Sequence, residues 1–208
     1  MKHLLEIFKN HKMYFVVTFS LIVTGLTALL LFNKGHIVLF MDYYHTLFID
    51  FFFKIITTFG EFTGFVISFL ILFVATKKIK SKYITSLILS ALLSLGISQF
   101  SKHILFSSER RPSFYYDLTQ VEGEEQHTNN TFPSGHTTAA FSFVTILAIG
   151  LKKNWIQLTL PFLAGLVALS RIYLGQHFLI DVVFGSILGV FIATTSFYFV
   201  NKYYSNKT

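Results

Sequence analysis

Between residues 14 and 32 the chain runs for 19 positions without a charged side chain. A helix of that length reaches about 28 Å, enough to cross the hydrocarbon of a bilayer. Five more apolar stretches follow, at residues 55–76, 83–101, 136–151, 154–170 and 182–200. Only 13% of residues are charged, against about a quarter in a typical soluble domain, so a water-facing surface is out of reach for most of the chain. The expectation is one all-α domain over residues 1–208, a polytopic membrane bundle of six transmembrane helices. A cleaved signal peptide does not fit the first run: it is long, and the Asn33-Lys34-Gly35-His36 that follows has no small-residue cleavage pattern. Cysteine is absent, which excludes disulfides and thiol chemistry.

Residues 34–54 break the pattern. Phe40, Tyr43, Tyr44, Leu47, Phe48, Phe51 and Phe52 recur at three- and four-residue spacing, with Asp42, His45, Ile49 and Asp50 on the other side. This predicts an amphipathic helix lying in the membrane interface, as packing or a lid over the bundle.

The net charge of +7 does not point to nucleic acid, because most lysines sit beside apolar runs. They read as a topology signal and an attraction for anionic lipid. The N-terminus, the loops after the second and fourth runs, and the tail carry eleven lysines and one acid, Glu6. The opposite side carries Lys34, Lys54, Lys102, Arg110, Arg111, Arg171 and the other nine acids, among them Glu61 near the outer end of the second run. The excess of lysine places both termini in the cytoplasm and the other loops outside, and the expected location is the cell (inner) membrane.

Three stretches gather chemistry on that outer side. Lys102 ends the third run and is followed by Arg110-Arg111-Pro112; Phe132-Pro133-Ser134-Gly135-His136 opens the fourth; Ser170-Arg171 ends the fifth, with His177 and Asp181 leading into the sixth. Charges at membrane depth are costly and mark function. Clustered cations repel one another unless an anion joins them, and phosphate matches the Arg fork and the Lys point charge. Ser134 and Gly135 precede a helix, whose free N–H groups and positive end favour an anion. His177 and Asp181, four apart, fall on one helix face. A carboxylate on one ring nitrogen sets the tautomer and frees the other nitrogen, so the imidazole itself is a candidate nucleophile toward phosphorus. His136 is then the candidate proton donor, both histidines being expected to titrate near neutrality.

These stretches resemble the three signature motifs of the type 2 phosphatidic acid phosphatase family, which also includes vanadium haloperoxidases. Pro133-Ser134-Gly135-His136 matches the second motif in full. Ser170-Arg171, five residues, His177, three residues and Asp181 match the third. In the first, eight residues separate Lys102 from Arg111-Pro112 where the family usually has six. The motif core spans residues 102–181. The resemblance implies a lipid phosphate or diphosphate hydrolase with His177 as nucleophile, Asp181 as its orienting partner and His136 as general acid. It implies phosphate binding by Lys102, Arg111, Ser134, Gly135 and Arg171, with Arg110 as a further candidate, and no metal or other cofactor. The partners it implies are a phosphorylated lipid and the bilayer, and no nucleic acid. A phosphotransferase with the same phosphohistidine, and a silent lipid-phosphate binder, remain as alternatives.

Glu122, Glu124, Glu125 and His127 lack the spacing of a metal loop and read as a solvated acidic loop. Asn129-Asn130-Thr131 fits a glycosylation acceptor pattern that is common by chance.

Overall fold

The computed structural model describes residues 2–78 and 81–206. Lys80 and Lys207, counted above with the cationic side, lie outside the described residues. Ten helices follow in order: α1 (Lys2–Asn10), α2 (Lys12–Leu31), α3 (His36–Asp42), α4 (Leu47–Thr57), α5 (Phe62–Thr76), α6 (Lys82–Phe100), α7 (Pro112–Tyr115), α8 (Gly135–Leu151), α9 (Asn154–Tyr173) and α10 (Leu179–Ser205). Among the described residues there is no strand, only an isolated antiparallel bridge between Arg110 and Asn129.

The chain is an all-helical integral membrane protein. Four helical stretches are long and apolar enough to cross a membrane: α2, Lys82–Leu105, α9 and α10. A fifth is counted if Leu47–Gly60 and Phe62–Thr76, bent by 63° at Glu61, form one span. The expected second run therefore starts differently. Residues 55–57 belong to α4, a short 3-10 turn covers Thr58–Gly60, and α5 begins only after Glu61. The expected fourth span is α8, a 17-residue helix of about 26 Å.

α8 is the axis of the bundle, packed between α5, α6, α9 and α10. Most of its side chains are buried, including Phe141, Val144, Ile146 and Ile149, so it needs no polar stripe. Its approach to α10 depends on two glycines one turn apart. A Cβ on Gly185 would lie 2.9 Å from Ser134 O, and one on Gly189 would lie 2.4 Å from Thr138 O. The two backbones touch there, the small-residue packing that membrane helices use in place of a hydrophobic drive.

The single helix expected over residues 34–54 is two helices. α3 ends at Asp42, and Thr46, in extended backbone, restarts the chain by capping α4, its hydroxyl accepting from Ile49 N at 3.3 Å. A competent N-cap inside the stretch defeats the continuous periodicity. The faces are as expected: Phe40, Tyr43, Leu47, Phe48 and Phe51 point outward, while His45 and Asp50 turn in, their side chains 2.7 Å apart, toward Tyr173 of α9.

Candidate active site

Three stretches separated in sequence are tied together by the backbone as well as by side chains. Ser134 caps α8: its hydroxyl accepts from Thr137 Oγ1 at 3.0 Å and Thr137 N at 3.4 Å. Its own N–H donates to Asp181 O at 3.0 Å, which joins the start of α8 to the start of α10. The turn between α9 and α10 folds back on Arg171, whose carbonyl accepts from Gln176 N and His177 N at 3.0 and 3.1 Å. That turn needs Gly175, which sits at φ 66°, in the left-handed region.

The eight residues after Lys102 are accommodated by a change of helix type. α6 widens into a π turn over Ser101–Leu105, with Phe106 N donating to Ser101 O at 2.8 Å. A π turn takes up extra residue length while holding the preceding side chains in place, a device frequent at functional sites. Lys102 and Arg111 both remain at the centre, each only 9% exposed.

Lys102, Arg111, Gly135, His136, Arg171 and His177 line one cavity of about 590 Å³, which continues between α5, α6 and α8 along Phe62, Phe65, Leu92 and Leu95. A Cβ on Gly135 would lie 3.8 Å from Lys102 Nζ, so the amine sits against the start of α8. Arg111 is fixed by Nε to Asn129 O at 2.9 Å and by Nη1 to Gln176 Oε1 at 2.7 Å. Arg171 donates from Nη1 to Thr57 Oγ1 at 2.7 Å, and its Nε is buried with no partner among the described residues. Among those residues none of the three cations makes an ion pair with a carboxylate. Three converging cations without a paired carboxylate make a strong anion site.

His177 and Asp181 are both 1% exposed. His177 precedes α10 rather than lying on it, because the helix begins at Leu179 and Asp181 occupies its first turn. The pair still meets: His177 Nδ1 is 3.3 Å from Asp181 Oδ2. Thr131 stands between them, its hydroxyl donating to Asp181 Oδ2 and lying 3.2 Å from His177 Nδ1. Phe178 N adds a bond to the same carboxylate oxygen at 2.8 Å. His177 does not titrate near neutrality as expected. Burial, then the charges of Lys102, Arg111, Arg171 and His136, hold its pKa well below the usual histidine range, so the ring is neutral at pH 7.

His136 Nε2 lies 2.8 Å from Glu61 Oε1 at the bend between α4 and α5. Gly60 makes this possible, since a Cβ there would be 2.8 Å from both His136 Cβ and His136 O.

Of the residues singled out from the sequence, seven converge as described, including Asp181 behind His177. Ser134 does not line the cavity; it is buried and used as the cap of α8. Arg110 is turned away, its guanidinium on Asn129 and 5.4 Å from the Phe114 ring centroid. Sequence reasoning missed Thr131, Gln176, Thr57 and the partnership of Glu61. For Glu61 a signal existed, a lone acid inside an apolar run. For the uncharged residues there was none; Thr131 read only as part of a glycosylation pattern, yet its side chain is 1% exposed inside the site.

The sequence matches the PAP2 superfamily over residues 82–205, more than half of the chain and all three stretches. The chain belongs to the PAP2 superfamily. It is thus a type 2 phosphatidic acid phosphatase-family protein. It is similar to an undecaprenyl-diphosphatase of Sulfolobus acidocaldarius, 30% identical over 132 residues that make up 63% of this chain and 60% of that protein. It is also similar to the bacitracin transport permease protein BcrC of Bacillus licheniformis, 38% identical over 79 residues, 38% of this chain and 37% of that one. The matched regions thus span less than two thirds of either relative. The fold is shared with LpxE of Aquifex aeolicus, with a TM-score of 0.68 and 24% identity, covering 79% of this chain and 95% of LpxE. It is shared too with a transmembrane PAP2-type phosphatidylglycerolphosphate phosphatase of Bacillus subtilis, with a TM-score of 0.57 and 22% identity, covering 92% and 97%.

Proposed function

We propose that this PAP2 protein is a membrane lipid phosphatase that removes phosphate through a phosphohistidine. The observation that carries the reading is the buried, neutral His177 facing three cations in a cavity whose other end is apolar. The lipid tail lies between α5, α6 and α8, and its terminal phosphate sits among Lys102, Arg111, Arg171 and the amide end of α8 at Gly135.

Thr131 and Asp181 hold the proton on His177 Nδ1, which leaves the Nε2 lone pair to attack phosphorus. The cations stabilise the charge that gathers on the equatorial oxygens. His136, with Nε2–H held by Glu61, gives its other proton to the leaving oxygen as the P–O bond breaks. In the second half the same nitrogen of His136 takes a proton from water as the water oxygen attacks phosphorus. The P–N bond then breaks, and orthophosphate and free His177 result. These steps use side chains alone, and the mechanism is metal-independent.

The membrane reading is six spans, with α4–α5 as a bent second span and α8 as a short fourth one shielded by its neighbours. The α3–α4 pair lies at the interface with its aromatic face toward lipid. The lysine distribution puts both termini in the cytoplasm and the site on the outer face of the cell membrane.

The test is phosphate release by the purified protein in detergent from phosphatidic acid, phosphatidylglycerophosphate, undecaprenyl diphosphate and a lipid A species. His177→Ala is run alongside, and acid-labile phosphate on the protein is assayed in a rapid quench. Release with a transient phosphoprotein, both absent in the variant, is the expected result. Release that persists in a folded His177→Ala protein would sink the phosphohistidine.

A further inference from the structure

Along α6 and the π turn that continues it, Ser86, Ser90, Ser94, Ser98 and Lys102 recur at every fourth position, so they form one slowly turning stripe. The stripe divides in two. Ser86 Oγ donates to Lys82 O at 2.6 Å and Ser90 Oγ to Leu87 O at 3.0 Å, the back-bonding by which serine satisfies itself in a helix. Ser94 and Ser98 do not do this. They are 2% and 3% exposed, and neither hydroxyl has a hydrogen-bond partner among the described residues. Both line the cavity that holds Lys102, His136 and His177.

Their order along the cavity is informative. Helical side chains lean toward the helix N-terminus, so Lys102 reaches back over Ser98. The start of α8 records this: a Cβ on Gly135 would lie 3.8 Å from Lys102 Nζ and 4.0 Å from Ser98 Cβ. Ser94 is one turn deeper, about 6 Å along the axis. Beyond it the α6 residues that line the cavity are apolar: Leu92, Ala91 and Ile88. Along the α6 wall, from the cations inward, the cavity therefore offers charge, then two unpaired hydroxyls, then hydrocarbon. A lipid phosphate that places a bare alkyl or prenyl chain next to the scissile phosphate leaves both hydroxyls unpaired, which costs free energy. A lipid with oxygen acceptors in that position satisfies them.

We infer that Ser94 and Ser98 form a subsite for a hydrogen-bond-accepting linker between the scissile phosphate and the tail. This inference rests on the lipid-phosphatase reading of the same cavity. Two linkers carry the required chemistry: the second phosphate of a prenyl diphosphate and the ester carbonyls of a glycerolipid phosphate. Neutral donors hold either one on the leaving-group side without adding a cation that would retain the product.

The experiment measures kcat/KM of the purified full chain on farnesyl phosphate, farnesyl diphosphate and dioctanoyl phosphatidic acid. It compares the wild type with Ser94→Ala/Ser98→Ala and with Ser94→Thr/Ser98→Thr. The expected result is that the Ala pair lowers the preference for a linker-bearing substrate over farnesyl phosphate by about tenfold or more, and that the Thr pair restores much of it. A loss confined to the diphosphate identifies the second phosphate, and a loss confined to phosphatidic acid identifies the ester carbonyls. Equal losses on all three, or none, overturn the subsite. A wild type that turns over farnesyl phosphate alone also overturns it and leaves the phosphatase standing. Where farnesyl phosphate is not a substrate, the Ala loss and Thr rescue on the linker-bearing lipid decide. A folded wild type that turns over none of the three overturns both readings.

Discussion

Glu61 Oε1 lies 2.8 Å from His136 Nε2 and so couples the bend between α4 and α5 to the first turn of the buried axis helix α8. The two histidines of the site thus each have a carboxylate, Asp181 for His177 and Glu61 for His136. One pair is sealed in protein, while the Glu61 side chain is 48% exposed. This difference suits the roles proposed for them, a fixed nucleophile in His177 and in His136 a group that exchanges protons with substrate and water.

Glu61→Gln keeps a hydrogen-bond acceptor but removes the charge that stabilises protonated His136. The expected outcome is a fall in kcat of about tenfold to a hundredfold with little change in KM. Steady-state kinetics on the best substrate check it, and an unchanged kcat would remove Glu61 from the mechanism.

Thr131→Val removes the hydroxyl between His177 and Asp181 at nearly constant volume. A buried hydrogen bond left unmade costs about 1–3 kcal/mol. If most of that falls on the transition state, kcat/KM drops by about fivefold to 150-fold. Thr131→Ser should retain most activity. Equal loss in Ser and Val would assign Thr131 to packing.

Stability should depend on pH through His177. Its folded pKa lies well below 6.5, the ordinary histidine value, whereas the unfolded ring takes a proton near 6.5. Below that value the unfolded chain binds more protons than the folded one, so stability falls as pH drops from 6.5 toward the folded pKa. Thermal melts in detergent at pH 7 and pH 5 should show a decrease on acidification that is smaller in His177→Asn. An identical decrease in both proteins would contradict the assignment.

Gly60→Ala forces a methyl against the Cβ and carbonyl of His136. Overpacking of this kind costs about 1–3 kcal/mol, and here it also displaces a residue of the site. A lower Tm together with lower activity is expected. Gly96→Ala on α6 is the control, because a Cβ there meets nothing within 4 Å. It should leave Tm unchanged or raise it slightly.

Chelators should leave the rate unchanged, and vanadate should inhibit, as a mimic of five-coordinate phosphorus. Activity lost to a chelator and restored by a divalent ion would replace the side-chain mechanism.

The class of fold and the charged centre of the site are legible in the order of residues alone. Long runs without charge have few solutions other than membrane helices, because backbone polar groups in hydrocarbon must be satisfied within the segment. Charged residues at the ends of those runs stand out for the same reason, and that is how Lys102, Arg111, His136, Arg171, His177 and Asp181 were legible. The rest depends on how the helices pack, and it is the assembled fold that sets it. It ended α3 at Asp42 and bent the chain at Glu61, because capping and packing override a periodicity that reads as continuous. It kept Lys102 beside Gly135 across a lengthened linker by a π turn, which no spacing rule anticipates. It turned Arg110 outward and Arg111 inward, a choice between adjacent identical side chains that rests on Asn129 and Gln176. Thr131, Gln176 and the unpaired Ser94 and Ser98 carry no charge and have no unusual setting in the sequence. Their weight comes from burial, where an uncharged hydrogen-bonding group costs more free energy to leave unpaired than it does in water, and burial is a property of the assembled bundle.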